Sequence, residues 1–132
     1  MDKYRFFSDI FMTVLGHSMD LFAYIDLKDR YQYVSESYAE FYDFSVSDLI
    51  GKTPVGVFEK ETYEKSVLPR LSKCKETNQP VHFESWIVGK KVQQPKYLYI
   101  SYLPHIDSET NKLVGVIIIS KDVTEFKRAE SL

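Results

Sequence analysis

Few residues in this chain could do covalent or metal chemistry. There is one cysteine, Cys74, and there are three histidines, His17, His82 and His105. A thiolate nucleophile needs a base within hydrogen-bond reach and a third group to orient that base. Here Cys74, His82 and His105 fall on separate predicted elements, and neither a glycine-rich phosphate loop nor metal-ligand spacing occurs. Catalysis by this segment and a bound metal are therefore not expected. The formal charge of -2 exerts no general pull toward nucleic acid or anionic membrane. Lys90-Lys91 and Lys127-Arg128 are short pairs of the kind that mark solvated faces. A lone cysteine allows no internal disulfide, which fits a reducing, cytoplasmic setting. No apolar run approaches a membrane span, and no signal-peptide apolar region follows Met1-Asp2-Lys3-Tyr4-Arg5.

The residues at the end of the chain suggest mechanical work instead. Gly115-Val116-Ile117-Ile118-Ile119-Ser120 is rich in β-branched residues and reads as a buried strand. It runs without a flexible linker into Asp122-Val123-Thr124 and then a charged helical stretch. Thr124 is placed to cap that helix, with Glu125 beside its positive end. A core strand joined rigidly to a departing helix is an output device. The helical pattern still runs at Leu132, which suggests that an effector follows in a longer protein.

The elements that would position this junction can be read in order. Residues 4–18 show a helical stripe of Tyr4, Phe7, Phe11, Val14 and Leu15, widened by Phe6, Ile10 and Met12. So much apolar surface must cover a sheet, a second copy of itself, or both. Leu21–Asp26 and Tyr31–Ser35 read as a hairpin around Leu27-Lys28-Asp29-Arg30. Two short helices follow, over 36–44 and around Ser45–Gly51, and then a longer helical pattern over Thr53–Thr77 with a kink expected at Pro69. Three strands close the chain: Val81–Val88, Tyr97–Ile106 and Leu113–Ser120. The last two are apolar on both faces and so should be covered on both. Ten tyrosines, nine phenylalanines and one tryptophan supply the bulk of the interior.

Several local motifs carry a resemblance to a known family. Tyr31-Gln32-Tyr33-Val34-Ser35 followed by Tyr38-Ala39-Glu40-Phe41 resembles the second strand and first core helix of PAS sensor domains. Asp48-Leu49-Ile50-Gly51-Lys52 is similar to their "E-L-I-G-K" turn. Leu103-Pro104, Asp107 and Val114-Gly115-Val116 resemble their final hairpin, and Asp122-Val123-Thr124-Glu125-Phe126-Lys127-Arg128-Ala129-Glu130 their "D-I-T-E-R-K-R-A-E" junction. The family often has Asn where Ser35 stands and Gly where Asp43 stands. The resemblance covers about residues 20–130. It implies an α+β fold with a five-stranded antiparallel sheet in the order 2-1-5-4-3 and short helices on one face. It divides the chain into an N-terminal amphipathic helix (1–19), a sensor domain (20–124) and the start of an output helix (125–132).

The resemblance also implies a sensory module that acts on a downstream effector, such as a cyclic-di-GMP enzyme, a histidine kinase or a transcription regulator. Asp122, Val123 and Thr124 would transfer the signal. Phe7, Phe11, Val14 and Leu15 would form a homodimer contact. Candidate ligand-lining residues are Phe41, Val67, Leu71, Trp86, Leu98, Ile100, Tyr102, Val116 and Ile118. They assume that Leu98, Ile100 and Tyr102 and Val114, Val116, Ile118 and Ser120 face the helices, and a one-residue shift would reverse this. Haem is not expected, because none of the three histidines lies in the long helical segment where haem-binding members carry their ligand. A covalently reacting flavin is not expected either, because Ser72-Lys73-Cys74-Lys75 does not match the Asn-Cys-Arg motif of the photoreceptors. No cofactor is assigned. An apolar lining serves equally a small organic ligand and a module filled by its own side chains, so both readings stand.

Overall fold

The computed structural model of the chain describes residues 2–17 and 19–130, the side chains of Tyr4 and of residues 15–17 excepted. Helix α1 (Lys3–His17) leads into β1 (Leu21–Asp26) and β2 (Tyr31–Val34). The helices α2 (Glu36–Phe41) and α3 (Val46–Leu49) follow, then a 3-10 turn at Pro54–Gly56 and α4 (Lys60–Thr62). A π-helical segment, Tyr63–Val67, runs on into α5 (Leu68–Thr77). The strands β3 (Val81–Ile87), β4 (Lys96–Ile106) and β5 (Leu113–Asp122) complete the sheet, and α6 (Thr124–Glu130) leaves it. The sheet is antiparallel with strand order β2-β1-β5-β4-β3, the order implied by the resemblance.

Turn chemistry explains the hairpin. The Asp26 carboxylate accepts from Lys28 N at 2.8 Å, Arg30 N at 3.1 Å and Gln32 Nε2 at 2.7 Å. These bonds, led by that from the Arg30 backbone, hold its carboxyl below the usual carboxylate range. Asp29 takes a left-handed φ of 60° and forms a 2.6 Å ion pair with Lys75, which ties the hairpin tip to α5. Ser35 caps α2, its Oγ accepting from Tyr38 N at 3.2 Å and from Phe22 N at 3.1 Å. Ser45 and Asp48 form a reciprocal capping box on α3. Asp43 ends α2 with φ 62°, the left-handed conformation for which a glycine would also serve.

The kink expected at Pro69 takes a different form. The helix widens just before the proline, and Leu68 N donates to Tyr63 O, five residues back. A proline ring collides with the carbonyl four residues earlier in a regular α-helix. The widened π turn makes room for it, and Pro69 then sits in the first turn of α5, where its missing N–H costs little.

Strand alternation sends Leu98, Ile100 and Tyr102 of β4 and Val116, Ile118 and Ser120 of β5 into the core beneath the helices. The opposite, outer face carries Phe22, Tyr24, Tyr33, His105 and Ile117, which with Phe11 and Met12 of α1 border a groove of about 300 Å³. Helix α1 was expected to bury its stripe on this face. It does so only in part, since Phe7, Phe11 and Val14 remain 56%, 60% and 61% exposed. Leu15 belongs to the same stripe, but its side chain lies outside the described set.

Gly115 lets the outer face close at this end. Tyr24 on β1 reaches diagonally across β5 to share a 2.7 Å hydrogen bond between its hydroxyl and His105 Nδ1 on β4. A Cβ on Gly115 would lie 2.2 Å from the Tyr24 hydroxyl oxygen and 2.7 Å from the Ile25 carbonyl oxygen. The tyrosine could swing away, but the carbonyl is held in the β1–β5 ladder. Gly115→Ala is therefore expected to cost about 2 kcal/mol through overpacking and to lower the Tm by roughly 5–10 °C. Thermal unfolding followed by circular dichroism checks this, and an unchanged Tm would show that the ladder yields freely.

Candidate functional site

Two features stand where a sensory site would be: the interior between helices and sheet, and the junction between β5 and α6. The interior is built from residues that local structure aims at one point. Tyr38 and Tyr42 project from the same face of α2, four residues apart. Tyr31 comes from β2, Phe58 from the loop after the 3-10 turn, Val67 from the π segment, and Ile100, Tyr102, Ile118 and Ser120 from the sheet. Together they leave a cavity of about 10 Å³. That is roughly the space of a single water molecule. In this conformation the interior is filled by the protein's own side chains.

The filling is aromatic and specific. The hydroxyls of Tyr31 and Tyr38 lie 2.5 Å apart, and their ring centroids 5.6 Å apart, edge to face. Tyr42 packs on Tyr38 at 4.9 Å and on Phe58 at 5.1 Å. On the sheet side Tyr102 stacks on Phe83 at 5.9 Å, and the Arg70 guanidinium carbon sits 4.0 Å over the other ring of that pair, Phe83. Burial pushes the phenols of Tyr31, Tyr38, Tyr42 and Tyr102 far above the ordinary tyrosine value. For Tyr31 the bond to Tyr38 offsets part of this, and for Tyr102 the nearby Arg70 does. All four are neutral near pH 7. Cys74 is fully buried, its Sγ 3.7 Å from the Tyr102 carbonyl oxygen, and burial pushes its thiol up. That environment suppresses the thiolate a nucleophile needs.

The junction is held by local bonds within residues 122–124 and by non-local bonds to β4. Asp122 Oδ1 accepts from Thr124 N at 3.0 Å and from Thr124 Oγ1 at 2.5 Å. Thr124 Oγ1 in turn accepts from Tyr97 N at 2.9 Å, and Val123 N donates to Tyr97 O at 2.9 Å. The role expected for Thr124 as the helix cap thus belongs to Asp122, whose carboxylate meets the first helical amide. Thr124 is itself the first residue of α6, and its hydroxyl is committed to β4. The three residues named for signal transfer are together here, and Tyr97, which local sequence does not single out, completes them.

The candidate lining residues divide. Val67, Ile100, Tyr102 and Ile118 border the small cavity. Leu71, Leu98 and Val116 are buried in the same core, and Phe41 is partly buried against Tyr42. Trp86 is a correction. It is 44% exposed on the outer face, in edge contact with Tyr97, while its neighbour Ile87 points inward and is buried. The edge strand β3 carries partly apolar residues on both faces, so composition alone left its phase undefined. Tyr31, Tyr38, Tyr42 and Ser120 were not among the candidates. The i, i+4 spacing of Tyr38 and Tyr42 was the signal available for two of them. Among the described residues no group of three or more His, Cys, Asp or Glu side chains could hold a metal ion, and no helix is long and apolar enough to cross a membrane.

The buried phenols make stability depend on pH. Their ionisation is suppressed only in the folded state, so their contribution is intact below the unfolded value of about 10 and is lost as pH rises above it. Each such tyrosine contributes a slope of about 1.4 kcal/mol per pH unit in that range. Urea unfolding at pH 9, 10 and 11 should show a steep loss of stability for the native chain. Tyr102→Phe should make the loss shallower by one such increment, and an unchanged slope would mean that Tyr102 ionises freely in the folded state.

Comparison with known proteins agrees with this architecture. A sequence profile of the PAS fold matches residues 15–128. No curated protein matches the chain in sequence. The PAS domain of a protein from Colwellia psychrerythraea superposes with a TM-score of 0.75 at 13% identity, covering 90% of this chain and 98% of that one. A PAS domain from a two-component sensor histidine kinase gives 0.69 at 7% identity, covering 91% and 99%. VqmA of Vibrio cholera, solved as a ligand and DNA complex, gives 0.73 at 16% identity, covering 86% of this chain and 50% of that one. A strand order of 2-1-5-4-3, helices over one face and a profile match along most of its length place the chain in the PAS fold family.

Proposed function

We propose that this chain is a non-catalytic cytoplasmic sensory module. It works as a homodimer and passes a conformational signal through α6 to an effector further along a longer protein. The observation that carries this reading is the bonding of Tyr97 to Val123 and Thr124 at both its backbone N and its backbone O. With Asp122, these bonds fasten the start of α6 to the end of β5 and to β4, so a shift in the sheet carries the base of the helix with it. Residues 1–19 then serve as the dimerisation segment, 20–124 as the sensor and 125–132 as the start of the output helix. The half-exposed row of Phe7, Phe11 and Val14 supports dimerisation, because a contiguous apolar stripe of this kind is a surface that association would bury.

The packed interior favours relay over ligand capture. A cavity of about 10 Å³ admits no organic molecule unless the tyrosines move. The effector belongs to one of the classes the family serves. The likeness to a histidine kinase PAS domain and to the DNA-bound VqmA supports a kinase or a transcription regulator.

Native mass spectrometry of the purified protein tests this reading, followed by denaturing extraction of any bound molecule. The expected result is a bare dimer that becomes a monomer in Phe7→Asp with Phe11→Asp. An extra mass released on denaturation would replace relay by chemosensing. A dimer that survives both substitutions would overturn the assignment of α1.

A further inference from the structure

Tyr97 does more than anchor a backbone. It is the second residue of β4, directly opposite Trp86 of β3 in the ladder. Its ring makes an edge contact with Trp86 at 5.2 Å, and its hydroxyl donates to Glu84 Oε2 at 3.1 Å. Lys127 of α6 places its ammonium 5.0 Å from the same ring's centroid, while also lying 3.7 Å from Glu130. Residues of β3 and α6 therefore meet on its side chain, and those of the junction on its backbone.

The two kinds of contact do different work. The bonds from Tyr97 to Val123 and Thr124 act at the first turn of α6, so they fix where the helix starts but leave its tilt free, as a hinge does. Lys127 lies three residues beyond Thr124, on the same side of a helix. Its contact with the ring is the second point needed to define a direction. We infer that the ring of Tyr97 is the positioning contact that sets the tilt of α6, and that Trp86 brings the outer face of β3 under the same control. Trp86 is half exposed while it touches Tyr97, so anything that packs against it pushes on that ring. A signal can reach α6 this way along the outer surface without repacking the tyrosines of the interior. The inference rests on reading α6 as the output element, but helix docking is measured without reference to any output or to dimerisation.

Residue-resolved amide exchange by NMR on the full chain tests it. In Tyr97→Ala, exchange over residues 124–130 is expected to quicken roughly fivefold, the scale of one lost cation–π contact, while β1 and β5 keep their native rates. Tyr97→Phe keeps the ring and loses only the bond to Glu84, so it should stay close to native. Trp86→Ala, which frees the ring on one side, should fall between the two. Equal rates in Tyr97→Ala and the native protein, or a uniform rise over sheet and helix alike, would overturn the proposal. If Tyr97→Ala does not fold, Lys127→Ala removes the same contact from the helix side. It is then expected to quicken exchange over 124–130 roughly threefold, and no change there would be equally fatal.

Discussion

Strand β5 is the constraint on which the rest of the structure depends. It pairs with β1 from Leu21↔Ser120 to Asp26↔Gly115 and with β4 from Leu98↔Asp122 to Ile106↔Leu113. Both of its ladders are thus satisfied inside the sheet. Its inward residues Val116, Ile118 and Ser120 are buried, and its outward Ile117 borders the groove beneath α1. A strand held on four sides cannot slip by one residue without reversing every side chain. Helix α6 follows directly from the end of this fixed strand.

The helical layer adds a second constraint of a different kind. Its tyrosines fill the interior with rings and bring polar groups along. A buried hydroxyl without a partner costs about 1–3 kcal/mol, so the 2.5 Å Tyr31–Tyr38 pair ties α2 to β2 at a fixed spacing. The Lys75–Asp29 pair does the same between α5 and the hairpin tip. The helices are thereby located by directional contacts as well as by apolar packing, and directional contacts select one arrangement among many of similar density.

Much of this was legible in the chain. The alternation in residues 97–106 and 113–120 and the Asp122-Val123-Thr124 turn are local patterns, and local patterns specify the elements they belong to. The phase of β3 was not legible, because Phe83 and Trp86 offer an aromatic residue to each face and no strict alternation decides between them. The bond from Tyr97 N to the Thr124 hydroxyl spans 27 residues, so nothing near Thr124 could reveal that its side chain would leave the helix cap to Asp122. The π turn was half legible. Pro69 signalled a disturbance, but whether a helix bends or widens is decided by what it packs against.

The two rims of the sheet are unequal. β2 has four residues, too few to template another strand, whereas β3 presents seven, Val81–Ile87, with one side of its backbone unpaired. Its defences are modest: Pro80 at its entry, the Glu84 carboxylate at its centre and the Lys90-Lys91 pair just beyond its end. The side of the molecule that carries Trp86 is consequently also where strand-to-strand aggregation would begin. Selection on β3 must therefore balance a hydrophobic residue at position 86 against solubility at high concentration.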